Sequence, residues 1–139
     1  MGRDEQLIEL ARRLLAAAGR TRSAVGPALA ELGLTETGAA LIWRLGVACR
    51  PATMRELAAD LACDPSNVTL LADRLERAGL VARQPHPTDA RARTLALTEK
   101  GRGVHHRLLG GVDEHSPLAV LDGAERQELT RLLAKVLDG

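Results

Sequence analysis

The stretch PSNVTLLADRLER, residues 65–77, sets Ser66, Asn67, Thr69 and Arg74 beside Leu70, Asp73 and Arg77. A second stretch shortly after it, HPTDARART (86–94), holds His86, Asp89, Arg91 and Arg93. Small hydroxyl and amide groups donate and accept hydrogen bonds without bulk, and guanidinium groups grip anions through paired N–H donors. That mixture suits a polyanion whose edges also carry donors and acceptors. Nothing catalytic accompanies it. There is no Ser-His-Asp arrangement with supporting motifs, no glycine-rich phosphate cradle after a strand, and no ligand spacing for a catalytic zinc. The chain reads as a non-enzyme that needs no cofactor.

Composition narrows the partners. The 139 residues favour one domain, expected over residues 4–139. Apolar residues make up 45% and charged ones 27%, ordinary for a globular protein. Trp43 is the only aromatic residue. A core of Ala, Leu and Val favours helices, and the lack of aromatic platforms argues against binding by base stacking. A net charge of +1 means that attraction to a polyanion must be local. No apolar run reaches the roughly 18 residues of a membrane span. The N-terminus, MGRDEQLIEL, has acids and no long apolar core, so it reads as no secretory signal and the expected location is the cytoplasm.

The elements that carry these side chains follow from periodicity and punctuation. Leu7, Leu10, Ala11, Leu14, Leu15 and Ala18 form the stripe of an amphipathic helix. Gly26 and Pro27 predict a kink or break, then helix to about Leu32 with Gly33 as its cap. Thr35 is an N-cap, and the nearly all-apolar helix after it runs to about Ala48. Thr53 and Glu56 have the spacing of a capping box before a short helix to Leu61. Asp64 and Pro65 open a helix with Val68, Leu71, Ala72 and Leu75 on one face, which Gly79 closes. LVARQ and RTLALT alternate with period two, predicting a two-stranded hairpin. Thr98 caps a helix over about 99–112. Asp122 and Glu125 cap a last one, striped with Leu129, Leu132, Leu133, Val136 and Leu137.

Two short helices joined by the tight turn ACDPS make a helix-turn-helix. In that motif the second helix enters the major groove of a duplex, and Ser66, Asn67, Thr69, Leu70 and Arg74 lie off its apolar face. A hairpin directly after such a motif is a wing. Its loop is long enough to reach the neighbouring minor groove, where a narrow channel concentrates negative potential and favours arginine. The expected architecture is mostly α with a small β-hairpin wing. The winged helix-turn-helix lobe covers 35–100, flanked by dimerisation helices over 4–33 and 101–138.

Residues 57–101 resemble the MarR-type family of winged-helix transcription regulators. The matching pieces are VT, DRLE, GLV, R, P-x-D-x-R and LTEKG, in the family's order and spacing. The resemblance implies a homodimeric, sequence-specific binder of double-stranded DNA at a pseudo-palindromic operator, a repressor answering to a small-molecule effector. It makes Ser66, Asn67, Thr69 and Arg74 groove or phosphate contacts and Arg91 the wing-tip residue of the minor groove. Asp89 would hold Arg91 by a charge-assisted bond, and Arg93 and His86 would touch phosphate. If the effector sits between the dimerisation helices and the DNA-binding lobe, Trp43 would line its pocket. Leu70 departs from the basic residue that the family often carries there, and can instead meet a thymine methyl.

Plainer readings stand beside these. Arg74 and Arg77 can be solvated helix charges, and Asp73 and Glu76 suit orienting arginines better than reading bases. Cys49 and Cys63 read as small buried hydrophobes, with an oxidant-sensing regulator as the alternative. His105 and His106 diverge by about 100° on a helix, poor geometry for joint chelation, so no metal is expected. Near-neutral charge and Leu70 also admit a helical protein-interaction adaptor without DNA binding.

Overall fold

The computed structural model describes residues 2–113 and 115–139. In chain order the elements are α1 (Arg3–Glu31), α2 (Glu36–Ala48), β1 (Ala52–Thr53), α3 (Met54–Asp60), α4 (Pro65–Arg77), β2 (Val81–Pro85) and β3 (Arg93–Leu97). A fifth helix α5 (Glu99–Asp113), a 3-10 turn (Pro117–Val120) and α6 (Gly123–Asp138) follow. No helix among the described residues is long and apolar enough to cross a membrane. The chain divides into two compact units. One is residues 28–110; the other joins the residues up to 27 with those from 111 onward.

Side-chain caps start most of the helices. Thr35, Thr53 and Thr98 each accept the N–H three residues on, at 3.0–3.1 Å. Asp122 and Glu125 form both arms of a capping box, at 2.8 and 2.9 Å. Asp64 occupies the cap position of α4, but its carboxylate makes no capping bond there. Pro65 begins that helix instead, with its φ already suited to a first turn. Gly33 and Gly79 end α1 and α4 at φ +68 and +76, the left-handed region that glycine enters without steric cost. After α4, the Leu80 N–H reaches the Leu75 carbonyl and the Gly79 N–H reaches that of Glu76, which closes the helix in a Schellman turn.

Two expectations are corrected. Of the kink or break expected near Gly26, the break is absent: the first helix continues through Pro27 to Glu31. Proline removes the N–H that would bond the Ser23 carbonyl. Ser23 and Pro27 are both exposed, so water can serve that carbonyl. The sheet has three strands, not two, in the order β1-β3-β2. Ala52 pairs with Leu95 and Thr53 with Thr94, which covers the second edge of β3. A two-residue strand is too short to show alternation, and Thr53 already serves as the cap of α3. As the central strand, β3 buries both Thr94 and Leu95.

The core lies wholly in the unit 28–110. Leu41 and Ile42 of α2, Leu57 of α3, Val68 of α4, Val81 of β2 and Leu95 of β3 are fully buried there. Val104 and Leu108 bring α5 onto it. The contact depends on Gly101, where a Cβ would fall 2.0 Å from the Leu80 carbonyl oxygen. That oxygen already accepts the Thr98 N–H at 3.1 Å, so it is not free to move. Gly101→Ala should therefore lower stability by about 1–3 kcal/mol, the cost of overpacking. Urea midpoints check this. Gly103→Ala, with open space around its Cβ, should stabilise instead.

Among its described residues, the other unit has no core of its own. No described residue in 2–27 or 115–139 is buried. Leu7, Ile8, Leu10, Leu14 and Leu15 of α1 are exposed, as are Leu132, Val136 and Leu137 of α6. The polar side of α1 is tied locally, where Arg12 and Arg13 flank Glu9 and hold its carboxyl at about 2.

Candidate nucleic-acid interface

Helix α4 buries Val68, Leu71, Ala72 and Leu75. At about 100° per residue, the stripe opposite is Ser66, Leu70, Asp73 and Arg77. Thr69 and Glu76 flank it on one side, Asn67 and Arg74 on the other. Ser66 and Asn67 are exposed, and their side chains make no hydrogen bond among the described residues, so their polar groups are free for a partner. The Thr69 hydroxyl donates back to the Pro65 carbonyl at 3.0 Å, so toward a partner its oxygen can only accept. Arg74 is exposed but lines a groove with Leu32, Gly33, Thr35, Lys100 and Arg107, to one side of the stripe. Arg77 lies in the stripe, its Nε 3.3 Å from the Asp73 carbonyl.

The acids of α4 orient an arginine, but neither Arg74 nor Arg77. Arg83 of β2 reaches back across the turn. Its guanidinium meets Asp73 at 2.5 Å and Glu76 at 2.8 Å, and its backbone N–H donates to Glu76 at 3.0 Å. The hydrogen bond to Asp73, more than any other contact, raises the Arg83 pKa above its ordinary value. The bridge ties the wing to α4 and offsets one of the two carboxylate charges there. Sequence reasoning missed Arg83. The available signal was an acid pair three residues apart, out of place on such a helix, with an arginine near the start of the next strand.

The wing loop is ordered by its own side chains. The His86 Nδ1 accepts the N–H groups of Thr88 and Asp89, at 3.2 and 3.0 Å. The other ring nitrogen, Nε2, makes no hydrogen bond among the described residues. Asp89 does not hold the Arg91 guanidinium. Its Oδ1 accepts the Arg91 backbone N–H at 2.9 Å, the Asx turn that a short acid makes two residues ahead. The Arg91 side chain stays exposed and without an ion pair among the described residues. Arg55 of α3 joins Arg91, Arg93 and His86 around a cleft of about 550 Å³. Nothing in the sequence reading singled out Arg55. A basic residue just inside the first helix of a helix-turn-helix was the only hint.

Trp43 lies elsewhere, on α2. It is exposed, with its ring centroid 5.3 Å from that of His105 on α5. His105 packs directly over Gly46, where a Cβ would come within 2.2 Å of its ring, and its Nε2 is buried without a partner. Beyond His105 opens a cavity of about 510 Å³, lined by Leu45, Cys49, Leu97 and Leu109 with Arg50, Arg102 and His106 around them. Trp43 is not part of that lining. The cysteines are free but not buried as expected. Cys49 sits past the end of α2 at φ 51 and is exposed, and Cys63 is half-buried. Each thiol is 3.1–3.3 Å from a nearby backbone carbonyl. Among the described residues, no three His, Cys, Asp or Glu gather as a metal site.

A short helix, a second helix begun at Pro65 and an antiparallel hairpin pinned to it define a winged helix-turn-helix protein. Residues 34–92 match the model of the MarR family. It is 30% identical over 87 residues, 63% of its length, to the HTH-type transcriptional regulator MgrA of Staphylococcus aureus. The matched stretch spans 59% of that regulator. The crystal structure of NadR in complex with 4-hydroxyphenylacetate superposes with a TM-score of 0.82 at 25% identity, over 92% of each chain. A mutant MarR from E. coli, complexed with operator DNA, shares the fold with a TM-score of 0.75 at 24% identity, over 99% of each chain.

Proposed function

We propose that two copies of this chain bind a pseudo-palindromic DNA operator and repress transcription until a small-molecule effector releases them. The chain acts as a binding protein rather than an enzyme, in the cytoplasm. The observation that carries the reading is the joint surface of α4 and the wing, held in register by Arg83. Ser66, Asn67, Thr69 and Leu70 meet base edges or nearby phosphates in the major groove, with Arg74 at its margin. Arg91 enters the flanking minor groove, Asp89 shapes the turn that presents it, and Arg93 and His86 bind phosphate. The exposed apolar stripes of α1 and α6 supply the dimer interface, since a single copy leaves them in water.

Arg91→Ala tests the wing. It should weaken operator binding by about 1–3 kcal/mol in fluorescence anisotropy at moderate salt. Unchanged affinity would remove Arg91 from the interface. Affinity for duplex should also fall steeply as salt rises, because bound phosphates release counterions. A protein-interaction adaptor would show no such slope.

The cavity beyond His105 is the proposed effector site. Its apolar walls and the cationic groups of Arg50 and Arg102 suit a small organic anion, and the NadR structure holds such a molecule, 4-hydroxyphenylacetate. An effector acts by binding more tightly to a state whose two recognition helices are wrongly spaced for DNA.

A further inference from the structure

The outer stripe of α4 holds one apolar side chain. Leu70 is 63% exposed, with Ser66 one turn before it and Asp73 and Arg77 after it. It is not among the residues that form the core, and it lies about 150° around the helix from their centre. Resting on the DNA-binding reading above, we infer that Leu70 reads the 5-methyl group of a thymine, one in each half-site, where the middle of α4 crosses the major groove.

Solvation excludes the other base edges. Leucine can neither donate nor accept a hydrogen bond. Set against guanine N7 and O6, or the amino groups of adenine and cytosine, it would strip water from a polar edge and return nothing. The thymine methyl is the one apolar group on the major-groove floor. The neighbours do not compete for this position. Asp73 is engaged by Arg83 at 2.5 Å, so it is not free to draw a cytosine amine there. Thr69 spends its hydroxyl hydrogen on Pro65, so it offers only an acceptor beside the methyl contact.

Deoxyuridine lacks only that methyl, which makes the test specific. An operator selected with the purified full chain is resynthesised with uracil in place of each thymine in turn. At one symmetry-related position per half-site, binding should weaken about fourfold per half-site, the effect of one buried methyl-sized group. Leu70→Ala, a change at an exposed site, should bind the thymine and uracil duplexes equally at that position. A flat uracil profile with salt-sensitive operator binding intact overturns the Leu70 assignment and leaves the DNA-binding reading standing. A uracil effect that persists undiminished in Leu70→Ala overturns it as well, since another residue then reads the methyl. Failure to bind any duplex overturns both.

Discussion

A chain carrying Ile8→Glu together with Val136→Glu is expected to sediment as a monomer and to lose operator affinity by about two to four orders of magnitude. Both side chains are about 70% exposed in the single chain, so neither change opens a cavity in the core. In the proposed dimer the same positions would lie in apolar contact, and a carboxylate there would be desolvated without a partner, at a cost of several kcal/mol. Each fully buried leucine or valine contributes about 1.5–3 kcal/mol, and the exposed stripes of α1 and α6 offer several. The loss of DNA binding follows from valency. A dimer places its second recognition helix near the second half-site at high effective concentration, worth about 10²–10⁴ in affinity. Helix content and the urea midpoint of the 28–110 unit should hold. A variant that stays dimeric in sedimentation velocity would show that these stripes are not the interface.

The second large effect is expected at Arg83. Arg83→Ala should cost little stability, below about 1 kcal/mol, because Asp73 and Glu76 are more than a third exposed and already solvated. Operator binding should fall far more, by about two orders of magnitude. The substitution frees two carboxylates on the helix proposed to face phosphates, and like-charge juxtaposition costs several kcal/mol at an interface. It also unties the wing from α4. The two causes separate in the triple variant Arg83→Ala, Asp73→Asn, Glu76→Gln. Removing the carboxylates should recover the electrostatic part of the loss and leave the part due to a loosened wing. If Arg83→Ala binds operator as the parent does, the bridge is only a surface ion pair.

Local rules made much of this molecule legible. Thr35, Thr53, Thr98 and Asp122 announced their helices because a capping side chain and its target N–H lie within one turn. Gly33 and Gly79 announced their ends for the same reason. The buried face of α4 was readable because its partner surface does not alter the helical period. What sequence reading missed depends on contacts between elements. Arg83 is separated from Asp73 by a turn and a change of secondary structure, and no local rule pairs them. Arg55 reaches the wing cleft only because β1 lays the start of α3 beside β3, and β1 itself is two residues long. Asp89 and Arg91 were paired correctly as partners but through the wrong atoms. A charge-assisted pair was expected where the short acid bonds the backbone. At Pro27, of the kink and the break that the sequence allowed, the break does not occur, because the orphaned carbonyl of an exposed turn can be met by water. Cys49 was expected in the core because its side chain is small and apolar. Its left-handed backbone past the end of α2 places it outside.

The most direct measurement is a hydroxyl-radical and methylation-interference footprint of the purified full-length chain on its selected operator. Two major-groove contacts about 34 Å apart should be protected, each flanked by a minor-groove contact that disappears with Arg91→Ala. Protection confined to one half-site, or minor-groove contacts that survive loss of the Arg91 side chain, would contradict the placement of two copies of α4 and its wing on the duplex.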